Sequence, residues 1–275
     1  MPRRMNYRLE AKNCLDGMQE LAAESVDVVV TSPPYNLGVD YGTYKDDLPE
    51  DQYLRWSRQW MGEVFRVLKA KGSFFLNYGG SHAAPLLPFK MVLLAAECGL
   101  EIQNTFHWIK SIAVPSPCGL VTLGQFRPVP SDRYVNDCHE FIFHLSKGGD
   151  TPVDRDSIGV PYTDKSNLER YDHDKDVHCR GNAWLIPYDT ICKGDQRPHP
   201  ASFPKDLARM CILIHGARRD LVVLDPFLGI GSSALAALDC GVETFIGFDL
   251  EEKYARIAKA ALDNATPPLF GPGAF

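Results

Sequence analysis

Leu221-Val222-Val223-Leu224-Asp225-Pro226-Phe227-Leu228-Gly229-Ile230-Gly231-Ser232-Ser233-Ala234 is an apolar run that ends in an acid and a proline, followed by two glycines and a helix-compatible stretch. Short apolar runs that break at turn residues read as buried strands of a parallel sheet. The glycines permit a tight turn and close backbone approach to a ligand, and a helix opening at Ser232 offers free N–H groups there. Asp249 ends the next predicted strand, Thr244 to Phe248, where a carboxylate suits a ribose diol. Gly229-x-Gly231-x-x-Ala234, with an acid about 20 residues on, also fits a dinucleotide fingerprint. Position separates the two readings, because a dinucleotide fold needs several more strands after this turn and only about one βα unit follows. Asp225 would also repel a pyrophosphate and favour a cationic ligand. S-adenosylmethionine, with its sulfonium and ammonium groups, is such a ligand. A plain βαβ turn that holds nothing is the remaining reading.

Outward from this turn the chain alternates strands and helices. Val26-Asp27-Val28-Val29-Val30 predicts a strand that stops at Pro33-Pro34. Asp51 to Leu68 carries Leu54, Met61, Val64, Phe65 and Leu68 on one helical face. Lys69-Ala70-Lys71-Gly72 is expected to close that helix with cations and a glycine. Ser73 to Tyr78 reads as a strand, Pro85 to Cys98 as a helix ending at Gly99, and Thr105–Ile109 and Glu140–Leu145 as further strands. Composition shifts after Lys147-Gly148-Gly149: Asp150 to Pro198 shows little periodicity and much Asp, Gly, Pro, Arg and His. Regular structure resumes with helices over Pro204–Ile214, Ser232–Leu238 and Glu251–Asn264. The fold class is α/β with a largely parallel sheet.

The 275 residues are 45% hydrophobic and 23% charged, which suits one large soluble domain or one carrying an insertion. No stretch of about 18 uninterrupted apolar residues exists, and Met1-Pro2-Arg3-Arg4-Met5-Asn6 does not lead into a signal-like segment, so no membrane and a cytoplasmic location are expected. A net charge of −6 argues against bulk affinity for nucleic acid but leaves a basic cleft open. The eight cysteines form no CxxC pair and read as reduced thiols. His173, His178, Cys179, Cys192 and His199 match no common zinc spacing, and no metal is assigned.

Thr31-Ser32-Pro33-Pro34-Tyr35-Asn36 sits at the predicted carboxyl tip of the valine strand, where ligands of open α/β sheets bind. The prolines fix the loop and aim the Pro33 carbonyl in one direction. Ser32 and that carbonyl suit an exocyclic amine, and Tyr35 offers a flat face to a heteroaromatic ring. An isolated PPY would read as a mere strand terminator; its pairing with the glycine turn raises the functional reading.

Taken together these motifs resemble the beta class of S-adenosylmethionine-dependent DNA amino-methyltransferases, in which the catalytic [DNS]PPY loop precedes the cofactor loop. The resemblance implies a circularly permuted Rossmann-like methyltransferase fold with an inserted target-recognition region. It assigns residues 1–148 to the catalytic half, 149–198 to target recognition and 199–275 to the cofactor half. It implies catalytic roles for Ser32, Pro33, Pro34 and Tyr35. Cofactor contacts are implied for Asn13, Cys14, Ser32, Ser202, Phe203, Asp225, Pro226, Phe227, Gly229, Gly231, Ser232, Ser233 and Asp249. Asn13 stands where the family often has Asp. His139-Glu140-Phe141-Ile142-Phe143-His144 is similar to the strand supporting the base pocket, and His199-Pro200-Ala201-Ser202-Phe203-Pro204 to the motif packed against the cofactor. Ser32 and Phe203, in place of Asp and Lys, are similar to the cytosine-N4 group, with adenine N6 the runner-up. Cytosine C5 chemistry needs a nucleophilic cysteine, and the only Pro-Cys, Pro117-Cys118, lies away from the predicted strand tips.

The implied partner is double-stranded DNA whose target base is flipped out of the helix; the class also includes homodimers, for which no residue here argues. Tyr35 would stack on the base, with Tyr41 or Tyr44 closing over it. Asn36 to Glu50 reads equally as a mobile lid or a plain surface loop. Arg155, Lys165, Arg170, Lys175, Arg180, Lys193 and Arg197 are candidate DNA contacts, some of them paired with neighbouring aspartates. An RNA or protein amino-methyltransferase, an inactive DNA-binding relative and, more distantly, a nicotinamide dehydrogenase are the rival readings.

Overall fold

A computed structural model describes residues 5–124, 129–170, 175–187 and 201–265. The strands are β1 (Asn6–Ala11), β2 (Val26–Thr31), β3 (Leu68–Tyr78), β4 (Glu101–Ile109), β5 (Ser111–Ser116), β6 (Gly119–Gly124), β7 (His139–Ser146), β8 (Ala183–Leu185), β9 (Val222–Asp225) and β10 (Thr244–Asp249). The helices are α1 (Cys14–Gln19), α2 (Glu50–Val67), α3 (Leu87–Glu97), α4 (Ser166–Arg170), α5 (Lys205–Gly216), α6 (Ser232–Asp239) and α7 (Glu252–Asn264).

Eight strands form one sheet in the order β1-β10-β9-β2-β3-β7-β4-β8, and only β7 runs against its neighbours. This is the expected largely parallel α/β sheet. The valine strand β2 lies at its centre with all six residues buried, as a parallel strand covered on both faces requires. Alternation splits the core. Phe74, Leu76 and Val29 face the layer of α1, α2 and α3, whereas Phe75, Val28 and Val30 face that of α5, α6 and α7.

The junction of β2 and β9 matters most. From β2 the chain builds the sheet in one direction, through β3; from β9 it builds in the other, through β10. Strand order therefore reverses between β2 and β9, and open α/β sheets bind ligands beyond the carboxyl ends of strands at such a point.

Several elements differ from expectation. The cations after α2 do not cap it. The backbone turns extended at Leu68 and β3 begins there, five residues early; Lys69 pairs with Asp27 at 2.8 Å and Lys71 with Asp150 at 2.6 Å. Gly72 is needed for close approach, since a Cβ there would sit 2.7 Å from Leu68 and 3.0 Å from the Asp27 carbonyl. The edge strand β1, helix α1 and the exposed β5–β6 hairpin were not predicted. Pro117 and Cys118 lie at that hairpin's turn. Segment 150–198 is not structureless where described: Thr151 and Ile158 are buried, and β8 adds to the sheet edge with Trp184 stacked on Phe106 at 4.3 Å. No helix among the described residues is long and apolar enough to cross a membrane.

Candidate active site

Four neighbouring strand tips meet at one edge of the sheet. β1 delivers Asn13 and Cys14, β10 delivers Asp249, β9 delivers the glycine turn, and β2 delivers Ser32 to Tyr35. Thr31 Oγ1 donates to Asp225 Oδ1 at 2.6 Å, which ties the last residue of β2 to the last of β9. Both residues are fully buried.

Asp225 is saturated by the protein itself. Besides Thr31 it accepts from Ser233 Oγ at 2.5 Å and from the Phe227 amide at 3.0 Å. Burial pushes its carboxyl up to about 6 against the pull of those donors. It thus acts as the pin that shapes the turn, with its carboxylate fully buried beneath it. Asp249 accepts from the amides of Gly229 and Glu251, each at 2.8 Å, and burial raises its carboxyl as well. Gly231 caps α6 at φ +88°, and a Cβ there would come within 2.7 Å of Ala258 on α7. The glycine is required by left-handed backbone and by helix packing. Asn13 caps α1 by accepting from the Leu15 amide at 3.0 Å, and Lys12 N donates to the Asp249 carbonyl at 2.8 Å, so this segment adjoins the β10 tip. Cys14 is a buried thiol pushed up to about 12. Phe203 is half-buried against the core under α5 to α7 and Ser202 is exposed, while His199 and Pro200 of the same motif fall outside the described residues.

Pro226 and Phe227 open onto an aromatic wall. Phe227 meets Trp60 at 5.3 Å and Trp56 at 5.7 Å, and Trp56 meets Tyr44 at 5.5 Å. Among the described residues, Tyr44 Oη and Trp60 Nε1 are buried there with no hydrogen-bond partner. Buried polar atoms are rarely left orphaned. This wall fits a flat, heteroatom-rich cofactor, and two carboxylates behind the turn fit a cationic one. Tyr44 belongs to this wall, with Tyr41 6.5 Å from it.

The Ser32–Tyr35 loop is held by hydrogen bonds from several elements. Pro34 O accepts from Tyr53 Oη at 2.6 Å, and Tyr53 and Tyr78 share a hydrogen bond of 3.0 Å. The Tyr35 ring lies 4.3 Å from that of Tyr78. Its hydroxyl meets Ser32 Oγ at 2.8 Å, Asn77 Nδ2 at 2.8 Å and Glu140 Oε2 at 3.0 Å. Asn77 and Glu140 join the candidate site; motif reading passed over Asn77 and placed Glu140 only within the strand resembling the one that supports the base pocket. The available signals were polar side chains at the ends of two otherwise apolar strands, Leu76-Asn77-Tyr78 and His139-Glu140-Phe141. The following loop is tied down. Asp46 accepts from the amides of Asn36, Leu37 and Val39, Asn36 and Leu48 bond reciprocally, and Glu251 accepts from the Thr43 amide at 2.6 Å. Through Thr43 and Glu251 these contacts clasp the segment after Tyr35 to the half of the chain that carries the glycine turn.

In segment 149–198, Lys165 pairs with Asp176, Lys175 with Asp156 at 2.8 Å, and Arg180 donates to the Ile158 carbonyl at 2.8 Å. His178 and Cys179 are exposed; His173, Cys192, Lys193 and Arg197 lie outside the described residues.

Residues 26–260 match the profile of the DNA methylase family whose members modify amino nitrogens N6 and N4, and the chain belongs to that family. It is 28% identical over 265 residues to Type II methyltransferase M.HpaI of Haemophilus parainfluenzae, a match spanning 94% of this chain and 75% of that protein. It is 26% identical over 268 residues to the DNA adenine methyltransferase YhdJ of Escherichia coli (strain K12), spanning 94% and 84%. Among solved structures, the PvuII DNA methyltransferase (cytosine-N4-specific) shares the fold with a TM-score of 0.69 at 19% identity, covering 97% of this chain and 89% of that one. TTHA0409 of Thermus thermophilus, complexed with S-adenosyl-L-methionine, does so with a TM-score of 0.60 at 22% identity, covering 99% and 100%. The protein is a DNA methyltransferase of the N4/N6 class, and its architecture is the Rossmann-like methyltransferase fold.

Proposed function

We propose that this chain methylates the exocyclic N4 of cytosine in duplex DNA, with Ser32, Pro33, Pro34 and Tyr35 as its catalytic loop. One observation carries the reading. The loop and the glycine turn leave adjacent parallel strands at the reversal point of the sheet, tied by the Thr31–Asp225 hydrogen bond. Ser32 and Phe203 support cytosine; kinship with an adenine methylase keeps adenine N6 as the second reading.

The cofactor is S-adenosyl-L-methionine, as for the related structures solved with it bound, and it supplies an electrophilic methyl group. Asn13, Cys14, Ser202, Phe203, Pro226, Phe227, Gly229, Gly231, Ser232, Ser233 and Asp249 are the contacts we assign to it, with Asp225 shaping the turn beneath. Tyr35, backed by Tyr78, stacks on the flipped base. Ser32 Oγ and the Pro33 carbonyl accept the amine hydrogens and hold nitrogen density toward the methyl donor. Orientation and fixed dipoles supply the rate, and no covalent enzyme intermediate is needed. Residues 149–198 read the target sequence, between a catalytic half (1–148) and a cofactor half (199–275).

Tritiated S-adenosylmethionine with unmodified genomic DNA, followed by nucleoside mass spectrometry, tests this. N4-methylcytosine is expected, and N6-methyladenine would transfer the assignment to the second reading. Ser32→Ala and Tyr35→Ala each abolish turnover while S-adenosylmethionine affinity stays within about twofold; wild-type turnover in either would remove the loop from catalysis.

A further inference from the structure

Ser32 poses a chemical problem that an aspartate in its place would not. A carboxylate can only accept hydrogen bonds, whereas a serine hydroxyl both donates and accepts. If Ser32 turned its proton toward the target amine, it would oppose the reaction. The geometry points to Glu140 as the positioning residue that, through Asn77 and the Tyr35 hydroxyl, holds Ser32 as an acceptor toward the base. This inference rests on the catalytic-loop reading above.

Asn77 Nδ2 donates to Glu140 Oε2 at 2.7 Å and to Tyr35 Oη at 2.8 Å. A carboxylate only accepts, so the amide faces Glu140 with its nitrogen and its orientation is fixed. Tyr35 Oη therefore accepts a hydrogen bond from Asn77. Its own proton has acceptors in Glu140 Oε2 at 3.0 Å and the Asn77 backbone carbonyl at 3.2 Å. In the 2.8 Å contact with Ser32, the serine is left to donate. The lone pairs of Ser32 Oγ then remain for the amine hydrogens. The Glu140 side chain is only 12% exposed, and Lys110 Nζ pairs with it 3.0 Å from Oε1. Its charge strengthens the chain Ser32→Tyr35→Glu140, since linked hydrogen bonds polarise one another. Gly79 makes room for the assembly, as a Cβ there would lie 3.1 Å from both Glu140 and the Tyr35 ring. One carboxylate, set back behind a tyrosine, does what an aspartate at position 32 would do directly.

A double-mutant cycle tests this, with methyl transfer to unmodified genomic DNA and S-adenosylmethionine Kd measured side by side. Glu140→Gln keeps the shape and removes the charge. It is expected to lower kcat about tenfold with Kd unchanged within about twofold. Tyr35→Phe deletes the relay, and in that background Glu140→Gln should cost less than about twofold more. A purely structural Glu140 would cost the same factor in both backgrounds, and that result, or wild-type turnover of Glu140→Gln, overturns the inference. Should the amide variant melt early, Glu140→Ala in the same two backgrounds gives the same comparison. Ser32→Ala separates the two levels: if it is inactive while Glu140→Gln is indifferent, only the Glu140 role fails. If Ser32→Ala turns over like wild type, the catalytic-loop reading fails with it.

Discussion

Thr31→Val removes a single oxygen from the fully buried joint between the two central strands, with little change in shape. The Asp225 carboxylate then loses one of three donors, and Ser233 and the Phe227 amide remain. A hydrogen bond to a buried charge is worth about 1.5–3 kcal/mol, so a loss near 2 kcal/mol is expected at pH 8, where Asp225 is ionised. The sign with pH follows from linkage. The folded value of about 6 lies above that of an unfolded aspartate, about 3.9. Between these values the native state binds more protons, and the group's contribution to stability falls as pH rises. Losing a donor raises the folded value further. At pH 5 the carboxyl is protonated in both proteins and the variant forfeits only a neutral hydrogen bond, about 0.5–1 kcal/mol. Denaturant unfolding at pH 5 and pH 8 reads both numbers. Equal penalties at the two pH values, or a penalty below about 0.5 kcal/mol at pH 8, would refute the view of Asp225 as a buried ionised pin.

Two further perturbations have defined signs. His144 Nε2 and His215 Nδ1 both contact Ser73 Oγ at 2.9 Å, and burial holds both imidazoles down to about 4. Their stability is present above the unfolded value of about 6.5 and is lost as pH falls toward 4, by about 3 kcal/mol for each. Asp225 acts in the opposite sense over part of that window, so the informative quantity is a difference. His144→Gln should flatten the slope of unfolding free energy between pH 4.5 and 6.5 by about 1 kcal/mol per pH unit, and an unchanged slope would exclude a buried neutral His144. Gly231→Ala forces a side chain into left-handed backbone and against α7, and should cost about 1–3 kcal/mol in thermal or denaturant unfolding; a melting temperature equal to wild type would contradict the packing seen at Ala258.

The elements that sequence reading found share a property. β2, β3 and β9 are apolar toward both helix layers and the longer helices toward one, so residue type reports burial directly. The missed ones lack it. β1 is a half-buried edge strand with mixed residues, β6 is exposed along its whole length, and β8 is only three residues long. At the site, Ser32–Tyr35 and the glycine turn were legible because each is a contiguous motif. Thr31–Asp225 and Tyr35–Glu140 were not, because each pair joins positions more than a hundred residues apart. Only the strand order brings them together. The cation-ended helix after Leu68 failed for a related reason, since Lys69 and Lys71 have partners on other elements that outweigh local capping preference.

The pairing of β1 with β10, Asn6 opposite Thr244, has a consequence for synthesis. β1 leaves the ribosome well before β10 and waits for it before it has a neighbour. The valine strand likewise waits for β9, with Val28 opposite Val223. Such long-range closures make folding slow, because loop entropy is spent before contacts reward it. A nascent chain thus carries the Ser32–Tyr35 loop long before the glycine turn that follows β9. The two halves of the candidate site meet in one late step, and any truncation that removes β10 strips β1 of its only sheet partner among the described residues.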